Sequence, residues 1–178
     1  MSARGHCILS HGFESGPHAD KVSALAEVAQ RLGWSHERPD YTDLDASPGF
    51  GRHGDVAARV ARLQALATAA AARGPLVLAG SSLGAWISGY VSLRVPVQGL
   101  FLMAPPTRMG DAPALVAAEV PTSIVHGWHD ELIRAVDVVE WARARSATLL
   151  LVDDAHRLSG HVEATAQAFA RLLASLAA

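Results

Sequence analysis

Short apolar segments alternate with longer amphipathic ones along the whole chain. The short segments are rich in Val, Ile and Leu, which is typical of strands buried in a sheet. The predicted strands are Cys7–Ser10, Ser35–Arg38, Leu76–Ala79, Gly99–Met103, Thr122–Val125 and Thr148–Val152. The predicted helices are Ala19–Leu32, Asp55–Ala72, Leu83–Leu93, Ala112–Ala118, Ile133–Ala144 and Val162–Leu176.

The order of these elements predicts an α/β fold. Leu76–Ala79 and Leu149–Val152 are continuously apolar, as expected of strands buried on both faces of a parallel sheet. The helix after Asp55 repeats apolar residues at a period near 3.6, so one of its faces packs on that sheet. Right-handed βαβ units then give a three-layer, doubly wound, mostly parallel sheet of about six strands. We expect a single domain, 1–178, with a surface loop at Asp43–Gly54.

Composition excludes several classes of function. Half of the 178 residues are hydrophobic, 18% are charged and the net charge is −2, so a sizeable core is expected rather than disorder. No Lys/Arg run indicates nucleic acid or an anionic membrane as a partner. The single cysteine, Cys7, forms no intramolecular disulfide and lies in an apolar run, which indicates a buried thiol.

The N-terminus lacks the apolar core of a signal peptide, and no apolar run is long enough to span a membrane. We therefore expect a cytoplasmic location. The pattern predicts no particular oligomeric state.

The sequence Gly80-Ser81-Ser82-Leu83-Gly84 fits G-x-S-x-G between a predicted strand and a predicted helix. In that context the motif predicts a nucleophile elbow, a strained turn whose glycines let strand and helix approach closely. Ser82 then lies at a helix N-terminus, where the helix dipole favours developing negative charge. The alternative is a helix cap formed by Ser81 or Ser82.

A serine hydroxyl needs a base to become a good nucleophile. Asp130 follows the next-to-last predicted strand and His156 follows the last, so both lie at carboxyl ends of strands together with Ser82. We predict His156 as the general base and Asp130 as the group that orients it. The other histidines considered are His129 and His161, and the other acids considered are Glu131, Asp153 and Asp154.

An oxyanion hole requires backbone amides aimed at the developing charge. We predict the amides of Leu83 and Phe13 for this role, the second from the loop after the first strand. His11, Gly12 and Trp128 are predicted to contact substrate. One alternative for this loop is an ordinary βα turn with Gly12 at positive φ. A phosphate loop is another, but G-x-G-x-x-G is absent. The apolar residues that would line a pocket, or belong to the core instead, are Phe50, Trp86, Met103, Met109 and Trp128.

Taken together, these motifs resemble the α/β-hydrolase superfamily over nearly the whole chain, and in particular its small, lidless, bacterial esterase-like members. The resemblance rests on the segment from His11-Gly12-Phe13 to Ser15-Gly16-Pro17 with Lys21, the Gly80–Gly84 motif, His126-Gly127 with Asp130, and His156. It implies the fold, the Ser82–His156–Asp130 triad and hydrolysis of an acyl ester or thioester. No long insertion follows the fourth predicted strand, so an open pocket is expected.

The resulting hypothesis is a serine hydrolase that acts on a small acyl ester without a cofactor or metal. One rival is a non-catalytic α/β-hydrolase-like binding or scaffold protein. Another is a metal-dependent hydrolase that uses His126, His129 and Asp130.

Overall fold

The computed structural model describes residues 3–47, 51–110 and 113–176. Its six strands form one sheet in the order β2-β1-β3-β4-β5-β6, and every neighbouring pair is parallel. The strands are β1 (His6–Ser10), β2 (Ser35–Glu37), β3 (Leu76–Ser81), β4 (Gly99–Met103), β5 (Thr122–Gly127) and β6 (Thr148–Val152). The predicted strands and the predicted parallel sheet are confirmed.

Helices cover both faces of the sheet. They are α1 (Asp20–Arg31), α2 (Thr42–Asp45), α3 (Val56–Ala71), α4 (Leu83–Ser92), α5 (Ala135–Ala144) and α6 (Val162–Leu176), with a 3₁₀ turn at Ser159–His161. Alternate strand residues feed two cores, because successive side chains of a strand point to opposite faces. Helices α1 and α6 pack on one face, and α3, α4 and α5 pack on the other. None of the helices in the described ranges is long and apolar enough to cross a membrane.

The helix predicted at Ala112–Ala118 is wrong: residues 113–118 are not helical, and Ala112 lies outside the described residues. Leu115 and Ala117 are buried while Val116 between them is exposed, which is the period of an extended chain. Two tryptophans take the carbonyls that a helix would use, since Trp86 Nε1 donates to Pro113 and Trp141 Nε1 donates to Leu115. Tertiary contacts therefore override the local helical preference of the alanines.

Two smaller differences concern the predicted loop and the last strand. The stretch predicted as a loop, Asp43–Gly54, contains most of the short helix α2. Strand β6 lies at the edge of the sheet and is only partly buried, although its apolar sequence predicted burial on both faces. Its leucines still pack against both cores.

The order of the strands decides where a site can form. From β1 the chain moves outward to β2 and then crosses back to β3, so β1 and β3 are neighbours at the point where the direction reverses. The helices that follow them, α1 and α4, lie on opposite faces of the sheet. The loops that follow β1 and β3 therefore separate at their carboxyl ends, and a crevice at such a point is the usual ligand site of open α/β sheets.

Candidate active site

Ser82 occupies the sharp turn between β3 and α4. Its backbone has φ 53° and ψ −118°, a conformation that L-residues rarely adopt. The turn is fixed on both sides. The Ser82 amide donates to Met103 of β4 at 2.8 Å, and its carbonyl accepts from Ala85 and Trp86 at the start of α4. The strain is held at the one residue whose side chain must project above the sheet.

The glycines of the motif are required by the close approach of backbone segments. A Cβ on Gly80 would lie 2.2 Å from the carbonyl carbon of Gly84. A Cβ on Gly84 would lie 2.3 Å from the carbonyl oxygen of Ser10 and 2.7 Å from that of His11. Helix α4 thus rests directly on the ends of β1 and β3.

The three residues predicted as a triad lie within hydrogen-bond distance of one another. His156 Nε2 is 3.0 Å from Ser82 Oγ, and His156 Nδ1 is 2.7 Å from Asp130 Oδ2. Because an ionised carboxylate only accepts, Nδ1 carries the proton and Nε2 presents its lone pair to the serine hydroxyl. This tautomer is the one that a general base requires.

Asp130 is held as a carboxylate by its surroundings. Its side chain is completely buried, which by itself raises the pKa of the carboxyl group. The hydrogen bond to His156 and the amides of Ile133 and Leu132, which donate to Oδ1 at 2.8 and 2.9 Å, outweigh burial and lower the pKa below its ordinary value. Asp130 therefore remains charged at neutral pH.

A second acid holds the loop that carries His156. Asp154 Oδ2 accepts from the amide of Gly160 and from His161 Nδ1, both at 2.9 Å, so His161 is tied to this loop and not to the serine. His129 pairs with Asp153 at 2.8 Å on the exposed surface. The remaining acid, Glu131, accepts from the backbone amide of His156.

His126, the first residue of the alternative metal site, is a buried structural group. Its Nε2 donates to the carbonyl of Ile133 at 3.0 Å, and burial lowers the pKa of its ring. In the three described ranges, no group of three or more His, Cys, Asp or Glu side chains is arranged to hold a metal ion. His126 Nε2 lies 3.7 Å from Asp130 Oδ2, whereas His129 pairs with Asp153 on the surface, so the three side chains do not surround one point.

The loop after β1 passes directly beside the serine. A Cβ on Gly12 would lie 3.2 Å from the carbonyl oxygen of Ser81 and 3.4 Å from Ser82 Cβ. The amide of Phe13 follows Gly12, and the amide of Leu83 begins α4. In the described parts of the chain neither amide has a backbone partner.

A solved structure decides the family. The chain is similar, with a TM-score of 0.95, to a Xanthomonas campestris pv. campestris protein placed in the alpha/beta superfamily of hydrolases. The two are 67% identical over 96% of this chain and 99% of that one. The chain belongs to the α/β-hydrolase superfamily.

More distant α/β-hydrolases share the fold. A serine hydrolase without a lid, also from X. campestris, gives a TM-score of 0.82 at 21% identity over 98% of this chain and 83% of its own. Est1E of Butyrivibrio proteoclasticus, also solved with ferulic acid bound, gives a TM-score of 0.79 at 16% identity over 99% of this chain and 89% of its own. No protein-family model matches the chain, and no curated protein matches it.

The residues predicted to contact substrate in this α/β-hydrolase lie in different settings. Gly12 borders Ser82, whereas the ring of His11 is completely buried. His11 Nδ1 donates to the Gly12 carbonyl at 2.8 Å, and Nε2 accepts from the amide of Tyr41 at 2.9 Å. Burial lowers the pKa of His11, so its neutral ring supports the loop from behind. Trp128 is 56% exposed just after β5.

The apolar residues considered for a pocket also lie in different parts of the structure. Met103 is buried in the core on the α1 and α6 face, whereas Met109 is partly buried against the core on the opposite face. Trp86 lines an apolar groove of about 420 Å³ between α3 and α4, where it stacks on Tyr90. Phe50 lies outside the described residues.

Lys21 of α1 contacts the loop that carries His156. Its Nζ donates to the carbonyl of Arg157. Burial lowers the pKa of Lys21 from 10.5 to about 8. The folded protein therefore releases this proton near pH 8, whereas the unfolded chain keeps it up to about pH 10.5.

The contribution of Lys21 to stability is expected to rise with pH between 8 and 10.5, because the unfolded chain binds the extra proton in that range. The free energy of unfolding of wild type relative to Lys21→Met should increase by about 1–2 kcal/mol, less than the full pKa shift implies because the side chain is partly solvated. Urea denaturation across this pH range measures it. A constant difference would contradict burial of a charged amine here.

Proposed function

We propose that this chain is a serine hydrolase of a single α/β-hydrolase domain that cleaves carboxylic esters or thioesters through an acyl-enzyme. The observation that carries the proposal is the hydrogen-bonded series from Ser82 through His156 to the buried carboxylate of Asp130. The groups follow one another in the order that nucleophilic catalysis requires: a hydroxyl, an unprotonated ring nitrogen that accepts its proton, and a fixed carboxylate on the other side of the ring.

In the first step, Ser82 Oγ forms a bond to the acyl carbon while its proton passes to His156 Nε2. The carbonyl oxygen gains negative charge and is held by the amides of Leu83 and Phe13. The ionised Asp130 stabilises the imidazolium that forms without taking its proton. The tetrahedral intermediate collapses, the bond to the leaving alcohol or thiol breaks, and His156 returns the proton to that group.

In the second step, water takes the position of the departed alcohol. His156 Nε2 accepts a proton from the water as its oxygen forms a bond to the acyl carbon. The ester bond to Ser82 then breaks, Ser82 Oγ recovers a proton from His156, and the carboxylic acid leaves. Both steps use the same base, oxyanion amides and carboxylate, so all the catalytic groups come from this chain and water is the only co-reactant.

The substrate that fits these groups is a small acyl ester with an accessible carbonyl. Ser82 and His156 are only partly buried, which favours entry from open solvent. The exposed side chains of Trp128 and Leu132 flank the Asp130 loop and offer apolar contact to an acyl or alcohol group. The distant likeness to Est1E, which was also solved with ferulic acid bound, supports a small organic ligand.

The test is labelling with a fluorophosphonate probe, which phosphonylates an activated serine. We expect wild type to gain one adduct by intact mass, and peptide mass mapping to place it on Ser82. Asp130→Asn is expected to slow labelling by at least about 100-fold, since the ring of His156 loses the acceptor that fixes its tautomer. The labelling rate measured against probe concentration gives this comparison directly.

The matched control is Asp153→Asn, because Asp153 is an exposed acid that pairs with His129 and does not contact His156. Its labelling rate should equal that of wild type. A folded wild-type protein that takes no adduct would overturn the proposal and favour the non-catalytic scaffold. An adduct on any residue other than Ser82 would overturn the assignment of the nucleophile.

A further inference from the structure

We propose that Arg59 and Asp45 are positioning residues that set the direction of the Phe13 amide in the oxyanion hole. This inference rests on the proposed function, because it assigns how one of the two oxyanion donors is held. Neither residue belongs to a motif of the sequence, and none of the hydrogen bonds of the described residues joins either one to Ser82. Their effect on catalysis passes through the backbone of the loop after β1.

Arg59 is a completely buried arginine on the inner face of α3. Its Nη1 donates to the carbonyl of His11 at 3.2 Å and its Nη2 to the carbonyl of Gly12 at 3.3 Å. The same guanidinium binds Asp45 through Nε at 2.9 Å and through Nη2. A buried charge is tolerated only when it is paired and hydrogen-bonded, and here every partner is either the loop or the acid that supports it.

The contact with the Gly12 carbonyl fixes the amide that follows it. In a planar trans peptide the C=O and the N–H of the next residue point in opposite directions. The Gly12 carbonyl is drawn toward Arg59 and His11 Nδ1, so the N–H of Phe13 faces away from them. Rotation of this one peptide would turn the donor away from an oxygen bound at Ser82 and present a carbonyl in its place.

Asp45 holds the next peptide, between Phe13 and Glu14. Its Oδ2 accepts from the amide of Glu14 at 3.1 Å, while Oδ1 binds Arg59. Glu14 has φ 52°, so the chain turns sharply immediately after Phe13. The ion pair therefore fixes the loop both before and after the proposed donor, and Phe13 cannot rotate without breaking a hydrogen bond on one side.

The chemistry of the pair suits arginine in particular. A planar guanidinium reaches two carbonyls and a carboxylate at once, which the single ammonium of lysine does not. Arg59 also lies over the ring of Tyr41, with Cζ 4.7 Å from the centroid. Tyr41 in turn donates its amide to His11 Nε2, so the arginine, the histidine and the tyrosine support one loop from below.

The experiment compares two conservative variants. Arg59→Lys keeps the positive charge, and Asp45→Asn keeps the shape of the side chain. Their matched controls are Arg62→Lys and Asp43→Asn. Arg62 and Asp43 form a bidentate pair at 2.8 Å on the same helices, but this pair is exposed and does not contact the loop. The first readouts are kcat and KM for p-nitrophenyl butyrate, with kcat calculated per active site titrated with fluorophosphonate. The second readout is the Ki of an alkyl trifluoromethyl ketone.

The ketone adds to a catalytic serine and places an oxyanion in the hole, so its affinity reports the transition state. We expect kcat/KM and ketone affinity to fall together by about 30-fold in Arg59→Lys and Asp45→Asn, with KM within about threefold of wild type, since a misaligned oxyanion donor weakens charge stabilisation without removing it. Both controls should match wild type. A variant that merely unfolds lowers the titrated fraction and leaves kcat per site unchanged.

The two proposals fail in different ways. A wild-type protein without hydrolysis or labelling would reject the serine hydrolase itself. An active wild type whose Arg59 and Asp45 variants keep their kcat per site and ketone affinity would reject the positioning role alone. A higher KM with unchanged kcat would also reject the positioning role, because that result indicates lost substrate binding and not lost transition-state stabilisation.

Discussion

Ser82→Ala is expected to lower kcat for p-nitrophenyl butyrate by about 10⁵-fold or more, with little change in the melting temperature. The variant removes the atom that forms the acyl bond and leaves His156 and Asp130 with no hydroxyl to activate. A methyl group replaces the hydroxymethyl group, and among the described residues His156 is the side chain hydrogen-bonded to the lost oxygen, so packing is hardly altered. The residual rate reports the oxyanion amides and water alone.

Ser81→Ala is the matched control for this measurement. Ser81 is the last residue of β3, one position before the nucleophile, and it is almost completely buried. If the turn directs only Ser82 toward His156, the control should keep kcat within about threefold of wild type. Equal losses in both variants, or more than a tenth of wild-type kcat in Ser82→Ala, would contradict the assigned nucleophile.

Gly84→Ala is expected to destabilise the fold by about 3 kcal/mol and to lower kcat strongly in the protein that remains folded. The added methyl would lie 2.3 Å from the carbonyl of Ser10, a backbone atom that cannot rotate away. Relief requires α4 to move off the end of β1, which displaces Ser82 and the loop that holds Gly12. Thermal unfolding should show a fall of about 10 °C in the melting temperature.

Gly16→Ala provides the control, because a Cβ on Gly16 would meet no atom within 4 Å. Its free energy of unfolding should stay within about 0.5 kcal/mol of wild type. Similar losses for both substitutions would mean that the cost comes from the general loss of glycine freedom. A selective loss in Gly84→Ala instead assigns the cost to the contact between strand and helix.

The periodicity of apolar residues was sufficient to predict the sheet and most helices, because the strands are short apolar runs between long amphipathic ones. It failed at Ala112–Ala118, where alanine and leucine favour a helix but two tryptophan side chains take the backbone carbonyls. It also missed α2, whose four residues are too few to show a period. At 113–118 the deciding contacts join residues more than 20 positions apart in the chain.

The motif and the order of strand ends were sufficient to nominate Ser82, His156 and Asp130, because parallel strands bring their carboxyl ends to one edge. The supporting residues were harder to find. Arg59 does leave a signal: it falls in register with Leu63, Ala67 and Ala70 on the buried face of α3, where a charge is unexpected. What it contacts depends on the path of the loop after β1, which no local pattern specifies.

The reversal of strand order at β1 and β3 has a kinetic consequence. The turn that carries Ser82 and the loop that carries Gly12 become neighbours when Ser10 lies beside Gly80. The loops that carry Asp130 and His156 become neighbours when Gly127 lies beside Val152. Pairings between distant segments form slowly, because the chain must close large loops before the contact stabilises it. Reactivity of Ser82 during refolding would therefore report the pairing of these distant strands and not the formation of the local turn.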